Sequence, residues 1–234
     1  MVEEHRAEEK IRVTAGRWPL VIGSLRNPLK LSKLAEDLQP TTNDSLMKIG
    51  VLALQGDFDA HRRRLEELDA EVVLVKKPQQ LNEIDGLIIP GGESSTFLKL
   101  LGEAGLEKLK EFVRLKPTFG TCAGAILLAK EVENPAQAGL GAIDIGIRRN
   151  AYGRQIDSSI REGLFHGSPI EMVFIRAPKI ERVGPGVEVL ATEDQDPVVV
   201  RQGKIMAATF HPELSADPRI HQAFLDLVQN GGRS

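Results

Sequence analysis

The chain has one cysteine, one tryptophan and one tyrosine in 234 residues. A lone cysteine, Cys122, cannot close an internal disulfide, so the fold must hold without one, and a reducing, cytoplasmic compartment is the expectation. Nor can it build a cysteine-rich zinc site, and no metal centre is expected. Aromatic residues make up 4% of the chain, too few for a platform on which single-stranded bases stack, and the core must be aliphatic. A basic surplus is missing as well. Thirty Lys+Arg stand against 33 Asp+Glu, a formal net charge of −3, which speaks against a nucleic-acid partner. No apolar run approaches the ~20 residues of a membrane helix, so a soluble protein with no membrane partner is expected. What remains is an ordinary globular composition, 41% hydrophobic and 27% charged, which excludes wholesale disorder and fibrous classes.

Composition shifts near residue 46. Residues 1–46 open on Glu3, Glu4, Glu8 and Glu9, hold Trp18, and close on Pro40-Thr41-Thr42-Asn43-Asp44-Ser45. The acidic opening is wrong for a secretory leader or a transit peptide. Apart from a short helix over 29–38, this stretch reads as a poorly ordered or loosely docked extension, or as an over-long translation start. Residues 47–234 read as the folded domain.

From Met47 short aliphatic runs alternate with helical patterns. Ile49-Gly50-Val51-Leu52-Ala53-Leu54 is a near-continuous apolar run, the mark of a strand buried on both faces. A helix follows with Phe58, His61, Leu65 and Leu68 on one stripe. Strands are predicted over Glu71–Val75, Gly86–Ile89 and 118–120, and helices over 98–115, interrupted around Gly102 and Gly105, and over 123–130. Such alternation calls for a parallel sheet covered by helices on both faces. The second half reads as short strands at 146–150, 172–176, 187–192, 198–202 and 204–208, with a hairpin at Gln202-Gly203, extending the sheet or forming a flap beside it. Asp217-Pro218 opens a last helix. The expected fold is a three-layer α/β domain, its mostly parallel sheet flanked by helices and carrying an antiparallel extension.

Gly120-Thr121-Cys122-Ala123-Gly124 stands between a strand and a helix. Glycines on either side permit a turn tight enough to push the central side chain outward, as in a nucleophile elbow with Cys for Ser, and the Ala123 N–H then points to where an oxyanion would form. By itself Cys122 reads equally well as a small buried hydrophobe. A nucleophile needs a base. Of the five histidines, His5 lies in the extension, His61 and His221 lie within helices and His166 in a polar loop. His211 differs, because it follows a strand in Phe210-His211-Pro212-Glu213. If its strand neighbours that of Cys122, the two meet at one rim, and Glu213 reaches back to orient the imidazole. Pro90-Gly91-Gly92-Glu93-Ser94-Ser95 follows the strand Gly86–Ile89, and its glycines can aim N–H groups into the site. The Walker lysine and a Gly-x-Gly-x-x-Gly are both absent, so a nucleotide cradle is not expected.

These motifs carry a resemblance. Gly-Gly-Glu-Ser, Gly-Thr-Cys-Ala-Gly and His-Pro-Glu in this order look like the triad-type (class I) glutamine amidotransferases, whose domain is flavodoxin-like. More narrowly, Ala53-Leu54-Gln55-Gly56, Pro90-Gly91-Gly92-Glu93-Ser94, Arg149-Asn150-Ala151-Tyr152-Gly153-Arg154-Gln155, Phe174-Ile175-Arg176-Ala177-Pro178 and Phe210-His211-Pro212-Glu213-Leu214 resemble the glutaminase subunits of pyridoxal 5′-phosphate synthases. The match runs from Met47 to about Asn230. Residues 1–46 have no counterpart in that family.

The resemblance implies that Cys122, His211 and Glu213 hydrolyse L-glutamine to L-glutamate and ammonia. It implies that Gly92, Glu93, Ser94, Arg149, Ile175 and Arg176 line the glutamine site, with Gly92 and Ala123 forming the oxyanion hole. Ammonia would pass to a synthase subunit holding ribose 5-phosphate and a triose phosphate, within a hetero-oligomer that makes vitamin B6, and this chain would need no cofactor. Three alternatives stay open on the residues alone. They are a glutaminase subunit of another amidotransferase, such as imidazole glycerol phosphate synthase, a free-standing cysteine hydrolase or peptidase, and a non-catalytic α/β binding module in which Cys122 is merely buried.

Overall fold

A computed structural model describes residues 47–149 and 158–231. The readings made for residues 1–46, the short helix over 29–38 included, lie outside the described residues, as do Asn150 to Gln155 of the arginine-rich motif. A nine-stranded sheet forms the middle layer. Its parallel half consists of β2 (Glu71–Val75), β1 (Lys48–Leu52), β3 (Gly86–Ile89), β4 (Thr118–Thr121) and β12 (Ile205–Ala208), adjacent in that order. The antiparallel extension continues through β11 (Asp196–Gln202), β10 (Glu188–Glu193), β7 (Ser158–Phe165) and β8 (Ser168–Ile175). A separate small sheet of β5 (Ala129–Glu133), β6 (Ile143–Arg148) and β9 (Lys179–Val183) lies beside it.

The two-residue period of each strand decides which layer its side chains join. Leu87 and Ile89 point to one face with Ile205 and Ala207, where they meet Phe97, Leu109 and Phe112 of α2 (Ser94–Leu115), α3 (Ala123–Leu128) and the small sheet. Ile88, Met206 and Ala208 point to the other face. There they meet Leu65 of α1 (Phe58–Glu66) and Ile220, Phe224 and Val228 of α4 (Arg219–Gly231). All four residues of β3, β4 and β12 are buried, as double-sided cover requires. The expected three-layer α/β fold is the observed one.

Differences are local. Helix α2 begins at Ser94 rather than residue 98; the interruption expected around Gly102 and Gly105 falls at Gly102, whose φ of 60° no helix accommodates. Helix α3 stops at Leu128, because Ala129 turns into β5 and pairs with Ile143. The helix-forming Ala-Lys-Glu composition there is overridden by pairing in the small sheet. Strand β7 shows no apolar stripe in sequence, since Ile160 and Leu164 face outward while Gly163 and Phe165 face inward.

Phe119 sits fully buried at the centre of the parallel half, against Phe224 with ring centroids 5.7 Å apart. Phe119→Ala should cost about 3–5 kcal/mol and lower Tm by roughly 6–20 °C. A thermal melt showing an unchanged Tm would contradict this account of the core.

Candidate active site

Three neighbouring parallel strands end at one rim, and each delivers one part of a site. Ligands in open α/β sheets bind at such carboxyl ends. β4 runs into Cys122, whose φ of 47° lies in the left-handed region and marks the sharp strand-to-helix turn. The turn depends on small neighbours. A Cβ at Gly120 would strike Gly124, and one at Gly124 would strike the Ile89 carbonyl of β3. The Cys122 N–H donates to the Ala208 carbonyl at 2.9 Å, locking the elbow to β12.

β12 runs on through Thr209 and Phe210 to His211, whose N–H donates to the Val173 carbonyl of β8 at 2.8 Å. His211 lines one cleft with Cys122, and its Nδ1 stands 2.7 Å from Glu213 Oε1. Its side chain is 9% exposed and that of Glu213 is fully buried. Burial alone would push the His211 pKa down. The neighbouring Cys122, and the hydrogen bond and negative charge of Glu213, outweigh it and push the value up to about 10. Burial likewise favours a neutral Glu213, but the histidines around it hold its carboxyl below the usual range. The structure therefore brings the three expected reacting residues to one rim, and with a pKa of about 10 His211 carries a proton at neutral pH.

β3 runs into Pro90-Gly91-Gly92. A Cβ on Gly91 would collide with the His211 ring, so this position packs edge-on against the imidazole. Gly92 has a φ of 134°, a conformation reserved for glycine. The loop is held by Gln55, which follows β1. Its Oε1 accepts from the Glu93 N–H at 3.1 Å and its Nε2 donates to the Glu93 carbonyl at 3.3 Å. In sequence Gln55 is only part of the Ala53-Leu54-Gln55-Gly56 motif, and its clamping role emerges from the fold.

The cleft over Cys122, about 290 Å³, is lined by Gly92, Glu93, Ser94, Arg149, Ile175 and Arg176 together with His211. It stands near the low end of ligand pockets, ~300–1,000 Å³, a size suited to a single amino acid. All six residues expected around a substrate are brought together there. Arg149, largely buried, donates to Glu93 at 3.1 Å. The Ser94 hydroxyl turns away to Gln137 at 2.9 Å. A larger cleft of about 1020 Å³ lies over α2 and the β11–β12 turn, away from the cysteine. Among the described residues no cluster of His, Cys, Asp and Glu could hold a metal ion, and no helix is long and apolar enough to cross a membrane.

Behind Glu213 lies a feature that sequence reading missed. His61 of α1 and His221 of α4 are both completely buried, and their Nδ1 and Nε2 atoms stand 2.9 Å apart. His61 Nε2 is 3.1 Å from Thr121 Oγ1 and 3.3 Å from Glu213 Oε2. Burial lowers the pKa of both imidazoles, that of His221 well below the ordinary value, so both are neutral. Unfolded, each takes up a proton near pH 6.5, which the folded protein refuses. Stability is therefore present above that pH and lost as pH falls below it, by up to about 1.4 kcal/mol per pH unit for each histidine. Tm should drop on acidification below the ordinary histidine range, and less steeply for His221→Phe. Parallel slopes in Tm measured against pH would refute the assignment.

Comparison with known proteins agrees with this geometry. The profile of the SNO glutamine amidotransferase family matches residues 51–230. Over 187 residues the chain is 70% identical to pyridoxal 5′-phosphate synthase subunit PdxT of Koribacter versatilis, covering 79% of this chain and 97% of that one. It is 52% identical over 192 residues to the PdxT subunit of Solibacter usitatus, covering 78% of this chain and all of the relative. A crystal structure of a glutamine amidotransferase superposes with a TM-score of 0.73 at 46% identity, over 77% of this chain and 98% of that one. Matched along most of its length, the chain belongs to the SNO glutamine amidotransferase family.

Proposed function

We propose that the chain is the glutaminase subunit of a pyridoxal 5′-phosphate synthase, hydrolysing L-glutamine to L-glutamate and ammonia. The observation that carries this reading is the buried line Cys122–His211–Glu213 opening into a cleft sized for one amino acid. The 70% identity to a synthase subunit supports this partner over that of another amidotransferase.

In the proposed reaction the Cys122 thiolate attacks the side-chain carbonyl carbon of glutamine. The N–H groups of Gly92 and Ala123 receive the oxyanion. His211, already protonated, gives its proton to the departing nitrogen, and ammonia leaves behind a thioester. Water, deprotonated by His211, then attacks the thioester; the sulfur departs and glutamate is released. Glu213 keeps a proton on Nδ1, which leaves Nε2 facing the cysteine. Glu93 and Arg149 stand as a charged pair at the cleft, suited to the ammonium and carboxylate of an amino acid, the guanidinium taking the carboxylate. Ile175, Arg176 and Ser94 complete the lining of the cleft. Each step uses the chain's own residues and water. Ammonia is then handed to the synthase subunit, which holds ribose 5-phosphate and a triose phosphate, within a hetero-oligomer.

The test is glutamate release from L-glutamine by the chain alone and mixed with a pyridoxal 5′-phosphate synthase subunit. Cys122→Ala should lower kcat on the order of 10⁴-fold or more with the fold intact, His211→Asn nearly as much, and Glu213→Gln less. Substantial activity in the alanine variant would sink the mechanism.

We further propose that residues 47–234 form the amidotransferase domain and act without residues 1–46. In support, the family match begins at residue 51, and relatives covered to 97–100% of their length align over 187–192 residues. The shortened chain should keep the kcat and Tm of the full one; loss of either would show that the extension belongs to the domain.

A further inference from the structure

The reacting line does not end at Glu213. One carboxylate oxygen, Oε1, meets His211, while Oε2 is buried without a hydrogen-bond partner of good geometry. His61 Nε2 stands beside it, at 3.3 Å. That same nitrogen is 3.1 Å from the hydroxyl of Thr121, the residue preceding Cys122. His61 thus stands between the strand that carries the nucleophile and the carboxylate that orients the base.

Its tautomer follows from its neighbours. A bare Nε2 beside a buried carboxylate would set lone pair against lone pair, so Nε2 must carry the proton. Nδ1 is then the acceptor, and His221 Nε2–H donates to it across 2.9 Å. This leaves His221 Nδ1 without a proton, and that atom has no hydrogen-bond partner in its apolar setting against Phe119. A partnerless acceptor is tolerated there where a partnerless N–H would be costly. One arrangement of protons accounts for all four nitrogens.

We infer that His61 is a positioning residue for glutamine hydrolysis: its Nε2–H, fixed by His221 behind it, bridges Thr121 and the second oxygen of Glu213 and so holds elbow and orienting carboxylate in register. This rests on the glutaminase reading above. The charged and titratable groups around His61 are Glu213 and His211 in front, His221 behind, and Asp57 near its own helix, with Arg64 acting on His221. Glu213 and His211 connect it to the reaction.

His61→Leu removes the donor. Glu213 then turns aside or takes a proton, and in either case the negative charge opposite His211 weakens. Orienting partners behind a functional group are typically worth ~10–100-fold, so kcat for glutamine should fall by that much with KM unmoved. The basic limb of the pH profile should move to lower pH, because His211 loses the charge that retains its proton. His61→Gln, whose amide N–H reaches a similar point, should recover most of both. A residue that only filled space would shift neither the pH limb nor respond to glutamine as a substitute.

The assay uses the full chain with its synthase subunit, beside Cys122→Ala. If Cys122→Ala keeps its activity, the glutaminase reading fails. If Cys122→Ala is inactive while folded His61→Leu keeps the wild-type kcat and basic limb, only the role of His61 fails. Should His61→Leu not fold, nitrogen-15 spectra of the wild-type imidazoles decide. His61 must appear as the neutral Nε2–H tautomer, and a proton on Nδ1 with Nε2 bare overturns the inference.

Discussion

Ala208 pairs with Thr121 across two central parallel strands, and the Cys122 N–H donates to the Ala208 carbonyl just beyond. That register puts residue 122 and residue 211, far apart in sequence, at one rim. It acts with a second constraint, the lack of side chains at Gly120, Gly124 and Gly91, which lets the elbow approach β3 and lets the imidazole lie against the loop. Shift the pairing by one residue and every side chain of β12 changes face, so the site and the core fail together.

The electrostatics follow from where this rim lies. Glu213 is buried against His211 and His61 rather than facing water, and the histidines beside it hold its carboxyl below the usual range despite that burial. Its charge in turn keeps His211 protonated despite burial. The imidazoles behind it are neutral, so His61 Nε2 stands 3.3 Å from Glu213 Oε2 without adding a second positive charge. Acid that charges His61 or His221 therefore acts on the surroundings of Glu213 as well as on the fold.

Much of this was legible. The runs around Val51, Ile88 and Met206 are apolar without alternation because helices cover both faces of those strands, and continuous burial leaves that trace in a sequence. Cys122, His211, Glu213 and Gly92 were legible because elbow, strand end and glycine loop are local devices, each complete within a few residues. Strand β5 was not, since its Ala-Lys-Glu composition favours a helix and only pairing with β6 makes it a strand. Strand β7 lacked an apolar stripe.

His61, His221 and Gln55 mark the boundary between the two kinds of knowledge. In sequence, two histidines inside amphipathic helices look like any others, and no spacing links position 61 to 221 or to 213. Their meaning lies in distances between elements that enter the core from α1, α4 and the end of β12. Sequence by itself determined the layer order, the elbow and the chemistry of its residues, because these rest on periodicity and on neighbours along the chain. Tertiary structure alone decided which polar groups share the interior behind them, because a buried hydrogen bond is set by packing between distant segments.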